Sequence, residues 1–101
     1  MATSAKQFYV GTPSTSNTIL YTVPASTTAI VKNIVLTNTT GSDAMVTIQA
    51  ADKDLISSHT VKAKDAVFID LNFVMNAGQT IVASQGTANA INVFISGVEM
   101  N

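Results

Sequence analysis

Two runs of apolar and β-branched residues lie within residues 20–50, LYTVPASTTAIVKNIVLTNTTGSDAMVTIQA, and each run follows a turn signal. The first run covers residues 29–38 and the second covers residues 44–50. β-Branched side chains fit strands, and short apolar runs between clusters of Gly, Pro, Asn, Asp and Ser are typical of strands. No segment of the sequence shows the sustained periodicity of an amphipathic helix. The sequence therefore predicts an all-β protein.

The rest of the chain continues this pattern of short strands separated by turn residues. The predicted strands cover residues 6–10, 18–23, 29–38, 44–50, 55–61, 66–71, 79–84 and 90–100. Seven or eight strands at a spacing of about 8 to 12 residues predict an antiparallel two-sheet sandwich, either immunoglobulin-like or jelly-roll-like. In the longest strand the apolar positions break strict alternation, which predicts a bulge near Lys32 and Asn33. Gly97 interrupts the last strand and predicts either a bulge or a close neighbouring backbone.

The length of 101 residues predicts a single sandwich domain with one core, covering residues 1–101. Residues 1–17 contain a short strand and then a dense loop signal. This segment is either an N-terminal arm that adds to a sheet edge of a neighbouring subunit or an ordinary edge strand with its loop. The sequence leaves both alternatives open.

Charge and cysteine content exclude several kinds of function. The net charge is −1 and all five basic residues are lysines, so the chain lacks the basic stripe and the arginines that nucleic-acid binding uses. No apolar stretch approaches the roughly 20 residues of a membrane span, and the N-terminus lacks a secretory signal pattern. Without cysteine there are neither disulfides nor thiolate metal sites. We expect a protein made in a cytoplasm and stabilised by packing, with oligomerisation contributing.

Few residues of the chain are suited to catalysis or metal binding. His59 is the only histidine, and Ser58 points to the opposite side of an extended chain, so the two do not form a nucleophile pair. Asp52 and Asp54 form a carboxylate pair, but the other ligands and the glycine of a calcium loop are missing. One histidine without cysteine does not make a typical zinc site. We therefore expect no enzyme activity, no metal and no cofactor.

Only 11% of the residues are charged, and Thr, Ser and Asn take their place. A surface of hydroxyls and amides costs little free energy to desolvate, which suits contact with neighbouring protein subunits. Six residues are candidates for such a contact, from the first strand, an apolar run and the C-terminus: Lys6, Phe8, Tyr9, Phe73, Met75 and Met100. A sugar-binding face is the alternative, and it predicts an exposed Tyr9 or Tyr21 in a loop groove.

Two stretches resemble segments of small virion proteins of tailed bacteriophages. The first, YTVPASTTAIVKNIVLTNTTGSDAMVTI, covers residues 21–48, where a Val-Pro turn leads into a long strand and then into a second strand. The second, NFVMNAGQTIVA, covers residues 72–83 and is similar to the stretch that often follows in those proteins. The resemblance implies a non-enzymatic building block such as a capsid decoration protein, a head or neck fibre, or a tail or baseplate component. It also implies a homo-oligomer, with a trimer favoured, and it brings no catalytic residues.

The residues and the resemblance together favour a capsid decoration protein that binds the head lattice as a homo-oligomer. We expect it in the virion after assembly in the bacterial cytoplasm. Its partners would be other virion proteins such as the major capsid or tail protein, and neither nucleic acid nor membrane. A tail, neck or baseplate subunit is the first alternative, and a glycan-binding module for host attachment is the second.

Overall fold

The computed structural model describes residues 3–101, which form eight β-strands and no helix. The strands are β1 (Thr3–Gly11), β2 (Thr18–Thr22), β3 (Thr28–Asn38), β4 (Ala44–Ala50), β5 (Lys53–Val61), β6 (Ala66–Met75), β7 (Thr80–Gln85) and β8 (Ile91–Met100). Each segment predicted as a strand overlaps one of these strands. β1 and β5 are longer than the sequence pattern indicates because polar residues at their ends also take part in pairing, and β6 is longer because the apolar residues 73–75 pair with β3.

The strands form two antiparallel sheets of four, which confirms the predicted two-sheet sandwich. Sheet A has the order β1-β8-β3-β6, and sheet B has the order β2-β7-β4-β5. Pairing proceeds outward from the β4–β5 hairpin: β3 pairs with β6, β2 with β7 and β1 with β8. The chain is therefore a long hairpin wound into two layers, and this arrangement of eight strands is a jelly roll. Of the two predicted sandwich types, the topology matches the jelly-roll one.

The core lies between the sheets and is built from alternate residues of the inner strands. In β4, β7 and β8 buried residues alternate with more exposed ones, since successive side chains on a strand point to opposite faces. The largest fully buried side chains are Ile34, Leu36, Ile48, Met75, Ile81, Ile91, Ile95, Val23, Val31, Val46, Val61 and Val93. One continuous cluster of buried side chains fills the space between the two layers.

A β-bulge at Lys32 changes the phase of β3. The register of β3 against β8 shifts between Val31 and Asn33, which confirms the bulge predicted from the broken alternation. Val31 and Ile34 are three residues apart, yet both are buried. Without the extra residue, one half of β3 would turn its apolar side chains to the outer face of the sheet. The bulge therefore keeps both halves of this central strand in the core.

Gly97 in β8 lies opposite Val31, beside the bulge. A Cβ atom at this position would lie 1.9 Å from the carbonyl oxygen of Ile30 and 2.9 Å from the Cε2 atom of Phe8. The close neighbouring backbone predicted for Gly97 is therefore present. No side chain fits here unless the backbone of β3 moves.

The β4–β5 hairpin turns through two residues, Ala51 and Asp52, because Ala50 is paired with Lys53. Both turn residues have positive φ, 52° for Ala51 and 65° for Asp52, as a type I′ turn requires. The predicted strand over residues 55–61 lies within β5, but the polar corner predicted over residues 52–54 is wrong for residues 53 and 54. The tight turn lets pairing begin at once, so Lys53 and Asp54 belong to β5.

Two buried amide side chains hold the loops at one end of the sandwich. The Nδ2 group of Asn38 donates to the carbonyl oxygens of Ser42 (2.8 Å) and Val61 (2.9 Å), and its Oδ1 accepts from the backbone N–H of Thr40. The Oε1 atom of Gln85 accepts from the backbone N–H of Ile91 at 2.8 Å. Because every polar atom of a buried amide needs a partner, these residues fix the loop conformations around them.

We expect the substitution Gly97→Ala to lower the free energy of unfolding by about 3 kcal/mol. The added methyl group overlaps a backbone carbonyl, so the strands must separate locally rather than repack a side chain. Gly41→Ala is the control, because a Cβ atom at Gly41 meets nothing within 4 Å. Urea denaturation of the two variants checks this. Equal stabilities for both would contradict the close approach of β8 to β3.

We expect Ala51→Gly to raise the free energy of unfolding by about 0.5 kcal/mol, because glycine adopts positive φ without the steric cost of a Cβ atom. The same change at Ala63, which does not have positive φ, should lower it by a similar amount. Thermal unfolding of both variants measures the difference. A loss of stability at both positions would contradict the type I′ turn.

Candidate interaction surface

The outer face of sheet A carries apolar side chains that line up across all four strands. Val10 of β1 is opposite Phe94 of β8. Phe94 is in turn opposite Val35 of β3, and Val35 is opposite Phe68 of β6. Phe68 is 73% exposed and Val10 is 50% exposed. Directly opposed side chains in an antiparallel sheet lie about 5 Å apart, so these four residues form a continuous strip, which we call the first apolar row.

A second apolar row runs parallel to the first, nearer the other end of the strands. Ala5 of β1 is opposite Val98 of β8, and Val98 is opposite Ile30 of β3. The row ends at Val74 of β6, which is opposite Ile30 and 55% exposed. Both rows face away from the core. The outside of sheet A therefore presents two apolar strips to solvent, on a rigid sheet.

Polar side chains fill the space between the two rows. Gln7, Ser96, Asn33 and Asp70 are opposite one another in that order across β1, β8, β3 and β6. The Nδ2 group of Asn33 donates a hydrogen bond to Oδ1 of Asp70 at 3.1 Å. This row gives the face a charge and hydrogen-bonding pattern as well as apolar area.

A shallow depression of about 570 Å³ lies on this face beside the bulge. It is lined by Ala5, Lys6, Gln7, Val10, Lys32, Phe94, Ile95, Ser96 and Gly97. Lys32 is exposed, and its Nζ atom donates to Oδ1 of Asn72 at 2.8 Å. Gly97 contributes only backbone to its wall, and the bulge brings Lys32 to the surface beside it.

The outer face of sheet B is more polar. The Oγ1 atom of Thr47 accepts a hydrogen bond from the backbone N–H of Ser58 at 2.9 Å, and Gln49 donates to Asp54 at 3.0 Å. Ile19 is 64% exposed on this face. However, its cross-strand row continues only through the half-buried Val82 of β7 and then ends at the polar residues Gln49 and Asp54. Continuous apolar rows are thus a property of sheet A.

The residues considered for chemistry do not come together. His59 is an exposed residue of β5, and Asp52 lies in the two-residue turn. Asp54 is hydrogen-bonded to Gln49 on the outside of sheet B. Among residues 3–101, no group of three or more His, Asp or Glu side chains is placed to hold a metal ion.

The six residues predicted for a contact are scattered by the fold. Phe8 and Met75 are buried in the core, so neither presents a contact surface, and this part of the interface prediction is corrected. Tyr9, Phe73 and Met100 are half-buried, the first two against the core. Lys6 is exposed, with its Nζ atom 3.8 Å from a carboxylate oxygen of Glu99.

Sequence reasoning missed the apolar rows, although one signal for them was present. Val67, Ile69 and Leu71 occupy alternate positions of one strand and share a face, so Phe68 lies on the opposite face. Val35 and Phe94 likewise alternate with core residues of β3 and β8. That these side chains meet depends on strand order, which local patterns do not contain.

β1 pairs along its length with β8 of the same chain, as an edge strand of sheet A. The N-terminal segment called an arm or an edge strand above therefore lies on its own subunit from Thr3 to Gly11. Its first two residues lie outside the described part of the chain. β1 also brings Phe8 against Tyr21 of β2, with ring centroids 4.3 Å apart and planes 23° apart.

Tyr21 is held by contacts within the subunit. Its hydroxyl donates a hydrogen bond to Glu99, and its ring is stacked on Phe8. Burial, then the hydrogen bond to Glu99 and its negative charge, raise the pKa of Tyr21 above the ordinary value for tyrosine. It lies in β2 and not in a loop groove, so it does not form the exposed platform that a sugar-binding site requires.

We expect the stability of the protein to fall as pH rises above about 10, the pKa of tyrosine in an unfolded chain. Above that pH the tyrosine of the unfolded chain releases its proton, whereas folded Tyr21 keeps its proton. Deprotonation therefore lowers the free energy of the unfolded state relative to the folded state. Urea denaturation from about pH 9 to about pH 11 measures the slope. Tyr21→Phe is the control and should lose stability less steeply with pH. Equal slopes would contradict the raised pKa.

Comparison of the sequence with protein-family models gives no match, and comparison with curated proteins gives none either. No helix long and apolar enough to cross a membrane occurs in residues 3–101.

Proposed function

We propose that this chain is a non-enzymatic structural protein of a bacteriophage virion, a capsid decoration protein that binds the head lattice as a homo-oligomer. The observation that carries the proposal is the pair of apolar rows on the outside of sheet A. Contiguous apolar area on a folded surface marks a site of contact with another macromolecule. The resemblance of residues 21–48 and 72–83 to phage virion proteins supports the choice of partner.

The construction of the face suits a permanent protein contact. Its side chains stand on four hydrogen-bonded strands, so little conformational entropy is lost when a partner covers them. The two apolar rows contain aromatic and aliphatic residues, and the row between them contains hydrogen-bonding residues. Stable protein interfaces likewise combine apolar residues with hydrogen-bonding groups. Binding to a repeated lattice needs such a surface and no reactive group.

The fold by itself leaves the function open, because jelly rolls occur in viral capsid proteins and also in lectins. The surface supports the structural alternative over the glycan-binding one. Tyr21 is engaged by Glu99 and Phe8, and Tyr9 is half-buried against the core. The most exposed ring, Phe68, stands in an apolar row on a sheet face and not in a groove with converging polar groups.

The proposal predicts that purified virions of the phage that encodes this chain contain it in a fixed ratio to the major capsid protein. Quantitative mass spectrometry of the particles measures the ratio, and immunogold electron microscopy gives the position. Label over the heads supports decoration. Gold label on the tail would contradict decoration and support the tail, neck or baseplate alternative. Absence from purified particles would contradict a virion role.

Two matched variants connect the particle binding to sheet A. Val10→Asp places a carboxylate in the first apolar row, whereas Ile19→Asp places one on the outer face of sheet B. Both residues are at least half exposed and lie on edge strands, so both variants should fold. We expect Val10→Asp to weaken binding to undecorated heads by at least about tenfold, because a desolvated unpaired charge is costly. Equal effects at both positions would contradict the role of sheet A.

A further inference from the structure

β6 forms one edge of sheet A, and its inner face is less covered than the inner faces of the two central strands, β3 and β8. Four of its five inward-facing residues, Val67, Ile69, Leu71 and Phe73, are only half-buried, whereas the inward-facing apolar residues of β3 and β8 are almost fully buried. A depression of about 340 Å³ separates Phe73 from the β4–β5 hairpin. The sandwich is therefore incompletely closed along this edge.

The sequence of β6 is nearly symmetric in chemical character about Leu71. When the strand is laid antiparallel against a copy of itself centred on that residue, Leu71 faces Leu71, and each other residue faces one of similar kind. The facing pairs with accessible side chains are Phe68 with Val74, Ile69 with Phe73, and Asp70 with Asn72, whereas Val67 faces Met75, whose side chain is buried in its own subunit. Apolar residues thus meet apolar residues on both faces of the joined strands, and no two like charges are directly opposed.

We propose that a second copy of this chain binds along β6, with the two β6 strands antiparallel and a two-fold axis at Leu71. The proposal concerns the homo-oligomeric part of the proposed function and depends on it. A two-fold contact uses the same patch on both subunits, so the patch must complement itself. The near-symmetry of β6 about Leu71 meets that requirement.

The two apolar rows support the same register. Phe68 ends the first row and Val74 ends the second. In the proposed pairing, Phe68 faces position 74 of the second copy, so the first row of each subunit continues into the second row of the other. Two apolar strips, each eight strands wide, result. A pairing centred on position 70 would place Phe68 against Asn72 instead, and one centred on position 72 would place Val74 against Asp70.

Charge complementarity also favours this register. The charged side chains on the outer face of β3 and β6 are Lys32 and Asp70. Asp70 faces position 72 of the second copy. In each subunit, Asn72 accepts a hydrogen bond from Lys32 at 2.8 Å. The carboxylate of one subunit is thereby brought towards the ammonium group of the other.

The other sheet edges are less suited to such a contact. β5 has two register shifts, a positive φ at Ser58, and exposed charges at Lys53 and Asp54. Bulges and charges of this kind protect an edge strand from pairing. β2 has only five residues, and β1 is exposed and mostly polar from Thr3 to Gln7. β6 combines length with apolar residues on both faces.

The size of the contact sets the concentration at which it forms. Ten residues at about 3.4 Å per residue, across layers about 10 Å apart, give an edge of about 340 Å² per subunit. This is below the roughly 800 Å² per partner of a standard interface. We therefore expect a dimer that forms reversibly in solution at concentrations of tens to hundreds of micromolar, and more readily on a lattice that holds neighbours together.

Cysteine cross-linking tests the register directly, because the chain has no native cysteine. Residues directly opposed in an antiparallel pair have Cα atoms about 4.5 to 5.5 Å apart, within reach of a disulfide. Leu71→Cys should therefore form a disulfide-linked dimer on mild oxidation, seen on a non-reducing gel. Val67→Cys is the matched control on the same strand and face, and it should react at least about tenfold more slowly since it faces position 75. Equal rates for the two variants, or no cross-link at position 71, would overturn the proposal.

Charge pairing tests the contact without touching inward-facing residues. Phe68→Lys and Val74→Glu are both at exposed positions, and each alone should raise the dimer dissociation constant by about tenfold. In the double variant the two introduced charges face each other twice, and dimerisation should recover by at least about threefold over either single variant. Sedimentation equilibrium up to about 500 µM measures this. A double variant as weak as the singles would contradict the register.

Val10→Asp separates this proposal from the function proposed above. It lies on the opposite edge of sheet A, so it should leave the dimer dissociation constant unchanged within about twofold. If Val10→Asp abolishes self-association, a head-to-tail contact between β1 and β6 replaces the two-fold one, as a trimer would require. If the wild-type protein remains monomeric at about 500 µM, the β6 contact is wrong. The particle-binding result for Val10→Asp is independent of both outcomes.

Discussion

The bulge at Lys32 is the constraint on which the rest of the sandwich depends. β3 is central in sheet A, and its alternation would fail halfway along if one extra residue did not restore the phase. Gly97 makes the bulge possible, because the backbone of β3 passes where a side chain would otherwise stand. The same bulge allows Ile30 and Val35, which lie on either side of it, to occupy the same outer face of sheet A. The bulge thus determines which residues of β3 lie in the core and which lie on the outer face.

The outer face of sheet A follows from the same alternation that fills the core. A jelly roll needs apolar residues on one side of each strand, whereas this sheet has them on both sides. Because the chain lacks disulfides and has few charges, additional stability from covering this face is consistent with a subunit that functions in an assembly. The half-buried inward-facing residues of β6 extend that surface along one edge of sheet A.

Much of the fold was predictable, because short β-branched runs and turn residues are local signals. The bulge at Lys32 and the close approach at Gly97 were visible as a break in alternation and as a glycine inside a strand. The contact residues were not, because apolarity does not tell which face a residue occupies: Phe8 and Met75 proved to be core residues. The apolar rows depend on register between strands far apart in sequence, such as β1 with β8, and no local pattern encodes that register.

The central claim is that sheet A, through its outer face and its β6 edge, is where this protein contacts other copies and its lattice. The most direct test is a map of backbone amide chemical shifts by NMR at about 20 µM and about 500 µM protein. We expect concentration-dependent changes centred on Leu71, extending to Phe68, Val74 and the neighbouring residues of β3. Changes centred on sheet B or on β1, or identical spectra at both concentrations, would contradict the account.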